Sequence, residues 1–401
     1  MKMHSVSAPL IALVLATVSV AVPAKTLPTY AGPTPDTRRT VTIPTIDISQ
    51  ELHRQTVIAR GTPEVYHGHC DTVLLPDGKT MLTAWTVNHA RLVGPLARSE
   101  DGGLSWSAPL KVPANWHETA NTPTLHRLTD PQGVARLVIF ADGLDWRRGG
   151  KPPYPMHQAV STDDGRTWTP MVPNGIEGEV PPKTVMPFDG GRRLVFWTDL
   201  PEFVVQCESR DGGLTWGNPR NILQIPARWG QPAVIRSPDG RQLLMLLREN
   251  SRRHHSLYST SDDDAKTWAE PKELPAELTG DRHVMRYLPD GRLLVAMRDV
   301  ARTSPHYGHY MAWVGRYENV VRNQAGQYRV KLLNNAARAD ADIPGKGNTD
   351  LGYSDLENLP DGTVVATTYL KYQPGPEKHS VVNTRFKVDE LDARLKSLSA
   401  R

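Results

Sequence analysis

The segments Ser99-Glu100-Asp101-Gly102-Gly103-Leu104-Ser105-Trp106, Ser161-Thr162-Asp163-Asp164-Gly165-Arg166-Thr167-Trp168, Ser209-Arg210-Asp211-Gly212-Gly213-Leu214-Thr215-Trp216 and Ser261-Asp262-Asp263-Asp264-Ala265-Lys266-Thr267-Trp268 decide the fold of this chain. They share the pattern S-x-D-x-G-x-[ST]-W, with Ala265 in the glycine place of the fourth copy. Ser and Asp side chains bond nearby backbone amides, and Gly supplies a positive φ. The Trp is expected to pack back over the turn, making a β-hairpin with a hydrophobic lock. The first Ser recurs at 99, 161, 209 and 261, so the steps are 62, 48 and 52 residues. A unit of about 40–50 residues plus insertions is the period of a propeller blade.

A second repeat runs in phase with the first. Short apolar runs flank a turn six times, at Pro76-Asp77-Gly78, Asp130-Pro131-Gln132-Gly133, Asp189-Gly190-Gly191, Pro238-Asp239-Gly240, Pro289-Asp290-Gly291 and Pro360-Asp361-Gly362. Asp-Gly between two such runs signals a hairpin. The reading is an all-β protein, a six-bladed β-propeller over residues 55–388. In the last two blades the outer strands are expected at 308–317 with 328–333, and at 380–388. Residues 55–61 are expected to pair with the C-terminal strand and close the ring, which removes open sheet edges.

Composition supports this. Gly and Pro number 31 and 34, as a turn-rich β protein requires. Net charge is +4, too small and too dispersed for nucleic-acid binding, and pairs such as Arg192-Arg193 read as loop charges. At the N-terminus, Met1-Lys2, the apolar run 8–22 and Val22-Pro23-Ala24 predict a signal peptide over 1–24, hence a periplasmic or secreted protein with no membrane span. Residues 25–54 read as a leader or linker, and 389–401 as a helical C-terminal tail. Cys70 and Cys207 read as two buried thiols in strands.

Hairpin geometry locates the chemistry. The ends of the inner hairpins, far from their turns, meet at one mouth of the central channel. Counting outward from each turn pairs His69 with Thr86, Asn121 with Asp142, Gln231 with Arg248, His283 with Arg298 and Tyr353 with Leu370, and brings Lys183 near Thr198 and Asp199. Strand middles are apolar, yet these ends are polar nearly all the way round. Such a mouth suits a polar, anionic ligand whose carboxylate Arg forks would hold.

The S-x-D-x-G-x-[ST]-W repeats resemble the Asp boxes of the sialidase (neuraminidase) superfamily, and the resemblance spans roughly residues 55–388. Tyr353-Ser354-Asp355-Leu356 before Leu359-Pro360-Asp361-Gly362 resembles the segment that carries the family's nucleophilic tyrosine. Arg248 is similar to the second of the family's three carboxylate-binding arginines, and Arg298 to the third. Gly280-Asp281-Arg282-His283 and the run 367–372 resemble a bacterial, sialidase-like branch. The resemblance implies an exo-acting glycoside hydrolase releasing a terminal acidic sugar, sialic acid or a related nonulosonic acid, from glycans.

Three departures qualify that expectation. His67 and His69 stand where the first arginine is expected. The loop Thr86-Val87-Asn88-His89-Ala90-Arg91 lacks the family's acid/base Asp. Gln231 replaces the glutamate that activates the tyrosine. The catalytic candidates are therefore Tyr353, Gln231, and His69 or His89 as general acid, with Asp142 in reserve. Arg248, Arg298, His67, His283 and Asn121 are the substrate-binding candidates. The losses also admit a lyase or hydrolase on uronic-acid glycans, or a glycan-binding propeller without turnover. Loop aromatics Trp146, Tyr154, His306 and Tyr307 are candidates for stacking on sugars. No cofactor is implied. His254 and His255, on opposite faces of a strand, do not chelate one ion, and His67 with His69 has no evident third ligand.

Overall fold

Each Asp-Gly turn reverses the chain between two strands that pair in register, and six such hairpins radiate around one axis. The computed structural model describes residues 27–29, 40–145, 147, 149–225, 229–250, 254–338 and 350–399. The expected signal segment 1–24 and Trp146 lie outside them.

Strands β1 (Thr45–Asp47) and β2 (Gln55–Ala59) precede the blades. Blade one holds β3 (His67–Leu74), β4 (Met81–Val87) and β5 (Leu92–Ser99). Blade two holds β6 (Thr124–Thr129), β7 (Ala135–Asp142), β8 (Pro155–Ser161) and β9 (Val172–Glu177). Blade three runs β10 (Val185–Phe188), β11 (Arg193–Leu200), β12 (Phe203–Ser209) and β13 (Gly217–Gln224). Blade four runs β14 (Trp229–Arg236), β15 (Leu243–Glu249), β16 (Leu257–Ser261) and β17 (Lys272–Glu273). Blade five is β18 (Gly280–Tyr287), β19 (Leu293–Asp299), β20 (Tyr310–Gly315) and β21 (Tyr328–Leu333), with β1 added parallel to β21. Blade six is β22 (Ser354–Asn358), β23 (Thr363–Leu370) and β24 (Ser380–Lys387). Strand β2 pairs antiparallel with β24. The last blade thus draws its outer strand from the N-terminal side, and the ring closes as the sequence predicts. The C-terminal helix, Val388–Ser399, packs beside it, with Val388 and Leu391 buried in the core shared by blades five and six.

The Asp boxes follow their predicted chemistry with one correction. In the second, Asp163 Oδ1 accepts from the Thr167 amide at 2.9 Å, Asp163 Oδ2 accepts from Thr167 Oγ1 at 2.6 Å, and Ser161 Oγ accepts from the Gly165 amide at 2.9 Å. The same bonds recur at Asp101, Asp211 and Asp263. The tryptophans, however, do more than cover their own turns. Trp216 of blade three donates to Gln158 Oε1 of blade two at 3.1 Å and packs on Phe140. Trp268 of blade four meets Trp197 of blade three edge-on. Trp106 of blade one donates to Asn383 Oδ1 of blade six. Only Trp168 bonds back to its own turn, at Gly165 O, while its ring meets Trp116 between blades one and two. Trp216 and Trp268 are buried between sheets and Trp106 and Trp168 partly so, and this apolar area stabilises the ring. Cys70 and Cys207 are buried free thiols.

Candidate active site

Three inner strands carry the same irregularity at the mouth. Pairing of β3 with β4 skips one residue between Gly68 and Asp71, that of β14 with β15 between Gly230 and Ala233, and that of β18 with β19 between Asp281 and Val284. Each is a β-bulge, which bends a strand and re-aims a side chain. The bulged segments hold His69, Gln231 and Arg282 at φ 36°, 52° and 50°, a left-handed conformation that costs an L-residue about 1–2 kcal/mol. Each stands eight residues before the Asp of its hairpin turn, as does Tyr353 in blade six.

Counted in the same way, blades two and three contribute Thr122 and Pro181, and the six residues interlock. Thr122 Oγ1 lies 3.1 Å from His69 Nδ1. The His69 ring stacks on Tyr353 at 4.1 Å. Tyr353 Oη accepts from Gln231 Nε2 at 2.7 Å, and the Arg282 guanidinium lies 5.0 Å over the Tyr353 ring. Arg282 also donates to Pro181 O at 3.3 Å. This belt divides the central channel. On the side of the hairpin turns lies a cavity of about 440 Å³, where Lys183 sits between Asp71 and Asp355, and Arg286 between Asp355 and Glu357. At the other mouth lies a cavity of about 670 Å³, floored by His69, Gln231 and Tyr353.

The larger cavity is the candidate active site. Of the sequence-predicted residues, His69, His89, Asn121, Gln231, Arg248, Arg298 and Tyr353 all line it. Arg248 Nη1 donates to Tyr353 Oη at 3.2 Å and to Gln231 Oε1 at 3.0 Å. Behind the wall, Asp281 joins two arginines: its Oδ1 lies 3.0 Å from Arg248 Nε, and its Oδ2 lies 2.7 Å from Arg298 Nε. That carboxylate holds the Arg298 guanidinium firmly charged against the opposing cost of burial. Asn121 donates to Glu179 O at 2.7 Å and so fixes the loop between blades two and three.

Six predicted residues fall elsewhere. His283 is fully buried, donates from Nε2 to Leu278 O (2.9 Å) and lines the other cavity, because the bulge brings Arg282 over the Tyr353 ring in its place. Asp142 is buried with its Oδ2 3.1 Å from His157 Nδ1, away from the cavity lining. His67 Nδ1 accepts from Trp85 Nε1 at 3.0 Å, and His67 does not line the cavity. Lys183, expected at the mouth, belongs to the turn-side cavity. Tyr154 and Tyr307 are buried packing residues rather than sugar platforms.

Other cavity residues stand outside the candidate list drawn from the sequence, although the count from the turns had already put Asp199 at the mouth. Glu179 is pushed up to about 7, by burial first and then by the charge of Asp199. Asp199, fully buried, is pushed up to about 6 by desolvation, although the Gln231 amide donates to its Oδ2 at 3.1 Å. Asp350 lies 3.1 Å from His89 Nδ1 and accepts from Tyr66 Oη at 2.7 Å and from Tyr369 Oη at 2.6 Å. Glu179 and Asp350 stand on connections between blades, where no repeat marks them, whereas Asp199 lies at the end of the inner strand β11, where the count from the turn had put it. Arg282 did carry a signal, its eight-residue distance from Asp290. Two histidines and a carboxylate, His69, His89 and Asp350, come close enough to share a cation.

Among the described residues, no helix is long and apolar enough to cross a membrane. The family model described as a BNR repeat-like domain matches residues 52–227. No curated protein matches the chain. A protein of unknown function from Dyadobacter fermentans has a similar structure, with a TM-score of 0.60 at 16% identity over 83% of this chain and 97% of that one. The NanB sialidase of Streptococcus pneumoniae is similar at a TM-score of 0.56 and 12% identity, over 84% of this chain and 71% of NanB. The Hadza microbial sialidase Hz136 is similar at 0.53 and 16%, over 81% and 66%. The Asp boxes, the six-bladed ring and these likenesses together show an Asp-box β-propeller fold similar to that of the NanB and Hz136 sialidases, with a BNR repeat-like match over residues 52–227.

Proposed function

We propose that the chain is an exo-acting glycoside hydrolase that releases a terminal acidic sugar, sialic acid or a related nonulosonic acid, with Tyr353 as nucleophile. The observation that carries this reading is the Tyr353 phenol oxygen on the cavity floor, accepting from Gln231 Nε2 and Arg248 Nη1. A phenol suits an anionic sugar because a carboxylate nucleophile would be repelled by the substrate's own carboxylate. Arg248 and Arg298 hold that carboxylate, and Asp281 behind them keeps both guanidiniums in place. The phenol proton leaves to cavity water. The two donors and the Arg282 guanidinium over the ring then face the oxyanion.

Glu179 takes the general-acid role that the sequence reading offered to His69, His89 or Asp142. Held near 7, it keeps its proton in about half of the molecules at neutral pH, and that protonated form gives its proton to the leaving oxygen as the bond to the aglycone breaks. As a carboxylate it then deprotonates the water that frees the sugar from Tyr353.

One observation favours a second reading. Gln231 Nε2 and Arg248 Nη1, which bond the phenol oxygen, are both donors, and neither is a base. A tyrosinate so held also suits abstraction of the proton beside a uronate carboxylate, the first step of a glycan lyase. Incubation with sialosides and uronic-acid glycans, followed by mass and ultraviolet absorbance, separates the two, since only a lyase makes an absorbing unsaturated sugar. Sialic acid release that survives Tyr353→Phe and Arg248→Ala would sink the site assignment.

A further inference from the structure

The cavity wall beside Tyr353 carries a group that the sugar chemistry leaves unused. We propose that His69, His89 and Asp350 form a site for a divalent transition metal, with Zn²⁺ as the ion that fits. Each offers one ligating atom, and the three atoms lie within 4.8 Å of one another.

Three features point to an ion rather than to a chance cluster. His69 is 4% exposed, its Nδ1 is committed to Thr122 Oγ1, and its buried Nε2 has no hydrogen-bond partner. A buried ring nitrogen held in one orientation with nothing to bond is costly unless a ligand completes it. His89 Nδ1 and Asp350 Oδ2 are 3.1 Å apart, close to the roughly 3.3 Å edge of a tetrahedron whose ligands lie about 2.0–2.1 Å from zinc. Around the ligands stands an orienting layer: Tyr66 and Tyr369 donate to the two Asp350 oxygens, as second-layer groups do around metal carboxylates.

Two imidazoles and one carboxylate select a borderline ion such as Zn²⁺ over Ca²⁺ or Mg²⁺, which prefer all-oxygen sets. Of the two guanidiniums whose charge reaches His69, Arg298 is bonded to Asp281, while Arg282 lies over the Tyr353 ring. Three protein ligands leave a fourth position for water or a sugar oxygen. All three residues line the cavity, so that position adjoins the proposed sugar site. The proposal does not depend on the sugar reading, since the ion binds without a glycan.

The test is calorimetric titration of the chelator-stripped full chain with ZnCl₂, together with the visible spectrum of the chain loaded with Co²⁺. One equivalent of Zn²⁺ and the d–d bands of four-coordinate Co²⁺ are expected, with affinity reduced 100-fold or more in His89→Ala and in Asp350→Asn. His89 is half exposed, so His89→Ala retains the fold, which circular dichroism checks. No stoichiometric Zn²⁺ uptake by the wild-type chain would overturn the site, as would His89→Ala binding as tightly as wild type. Zinc uptake lost in both variants, in a chain that releases no acidic sugar, would uphold the metal site and sink the hydrolase reading alone.

Discussion

Tyr353 Oη and Gln231 Nε2, from residues 122 apart in the chain, meet at 2.7 Å on the floor of the mouth. Both stand eight residues before the Asp of a hairpin turn, Asp361 and Asp239. The propeller repeats one spacing in every blade, so equivalent positions converge on the axis. What differs between blades is the side chain put there: a phenol, an amide, an imidazole, a guanidinium. The site is a variation on a repeated unit.

The phenol oxygen is the first point to test. Tyr353→Phe keeps the ring stacked on His69 and beneath Arg282 but removes the acceptor shared by Gln231 and Arg248. Turnover is expected to fall by about 10³-fold or more, as for other lost nucleophiles. Stability is expected to fall by only about 1–3 kcal/mol, the cost of leaving buried donors unmet. Steady-state kinetics and a urea titration measure the two separately.

Asp281 is the shared counter-charge of the arginine wall, and it is 1% exposed. Asp281→Asn removes the charge that both Arg248 and Arg298 face. Breaking a buried ion pair from one side costs about 3–5 kcal/mol. The urea midpoint should drop accordingly, and KM for an acidic sugar should rise because the guanidiniums lose their orientation. An unchanged midpoint would show that the wall does not depend on Asp281.

Glu179 sets a pH dependence of definite sign. Its pKa rises from 4.5 to about 7 on folding. Between those values the folded chain keeps a proton that the unfolded chain has released. This group's contribution to stability is therefore complete below about 4.5 and lost as pH rises through about 7. Glu179→Gln should flatten stability over that window. For activity, the acid must be protonated, so the wild-type rate should fall on the alkaline side of about 7, and Glu179→Gln should lose that limb together with most of its turnover.

The Asp boxes bear on the fold and not on the site. Gly165 has φ +79°, and a Cβ there would lie 2.2 Å from Leu82 Cδ1 of the preceding blade. Gly165→Ala therefore costs about 1–2 kcal/mol of backbone strain and about 1–3 kcal/mol of overpacking. Its melting temperature should fall while activity per folded molecule stays at the wild-type level. Ala265, the fourth box's counterpart, already holds φ +63°.

The architecture was legible because its signals are local. An Asp-Gly turn, an S-x-D-x-G-x-[ST]-W hairpin and an alternating apolar strand each act within a dozen residues, and their phase counts the blades. Even closure of the ring by β2 on β24 followed from strand content and the need to cover an edge. The mouth was legible only in part. Counting outward from the turns brought His69, Gln231, Arg248, Arg298 and Tyr353 to one cavity, since those positions repeat.

By itself, then, the sequence determined a six-bladed ring with a polar mouth, because turns and strand alternation are written residue by residue. Only the tertiary structure decided which groups share that mouth. A one-residue bulge exchanged His283 for Arg282, and connections between blades delivered Glu179 and Asp350 from positions with no periodicity to announce them. Burial among these convergent strands, rather than residue type, is what lifts Glu179 to about 7 and leaves His69 Nε2 without a partner. The environment of a side chain is set by long-range neighbours, and those exist only once the ring has closed.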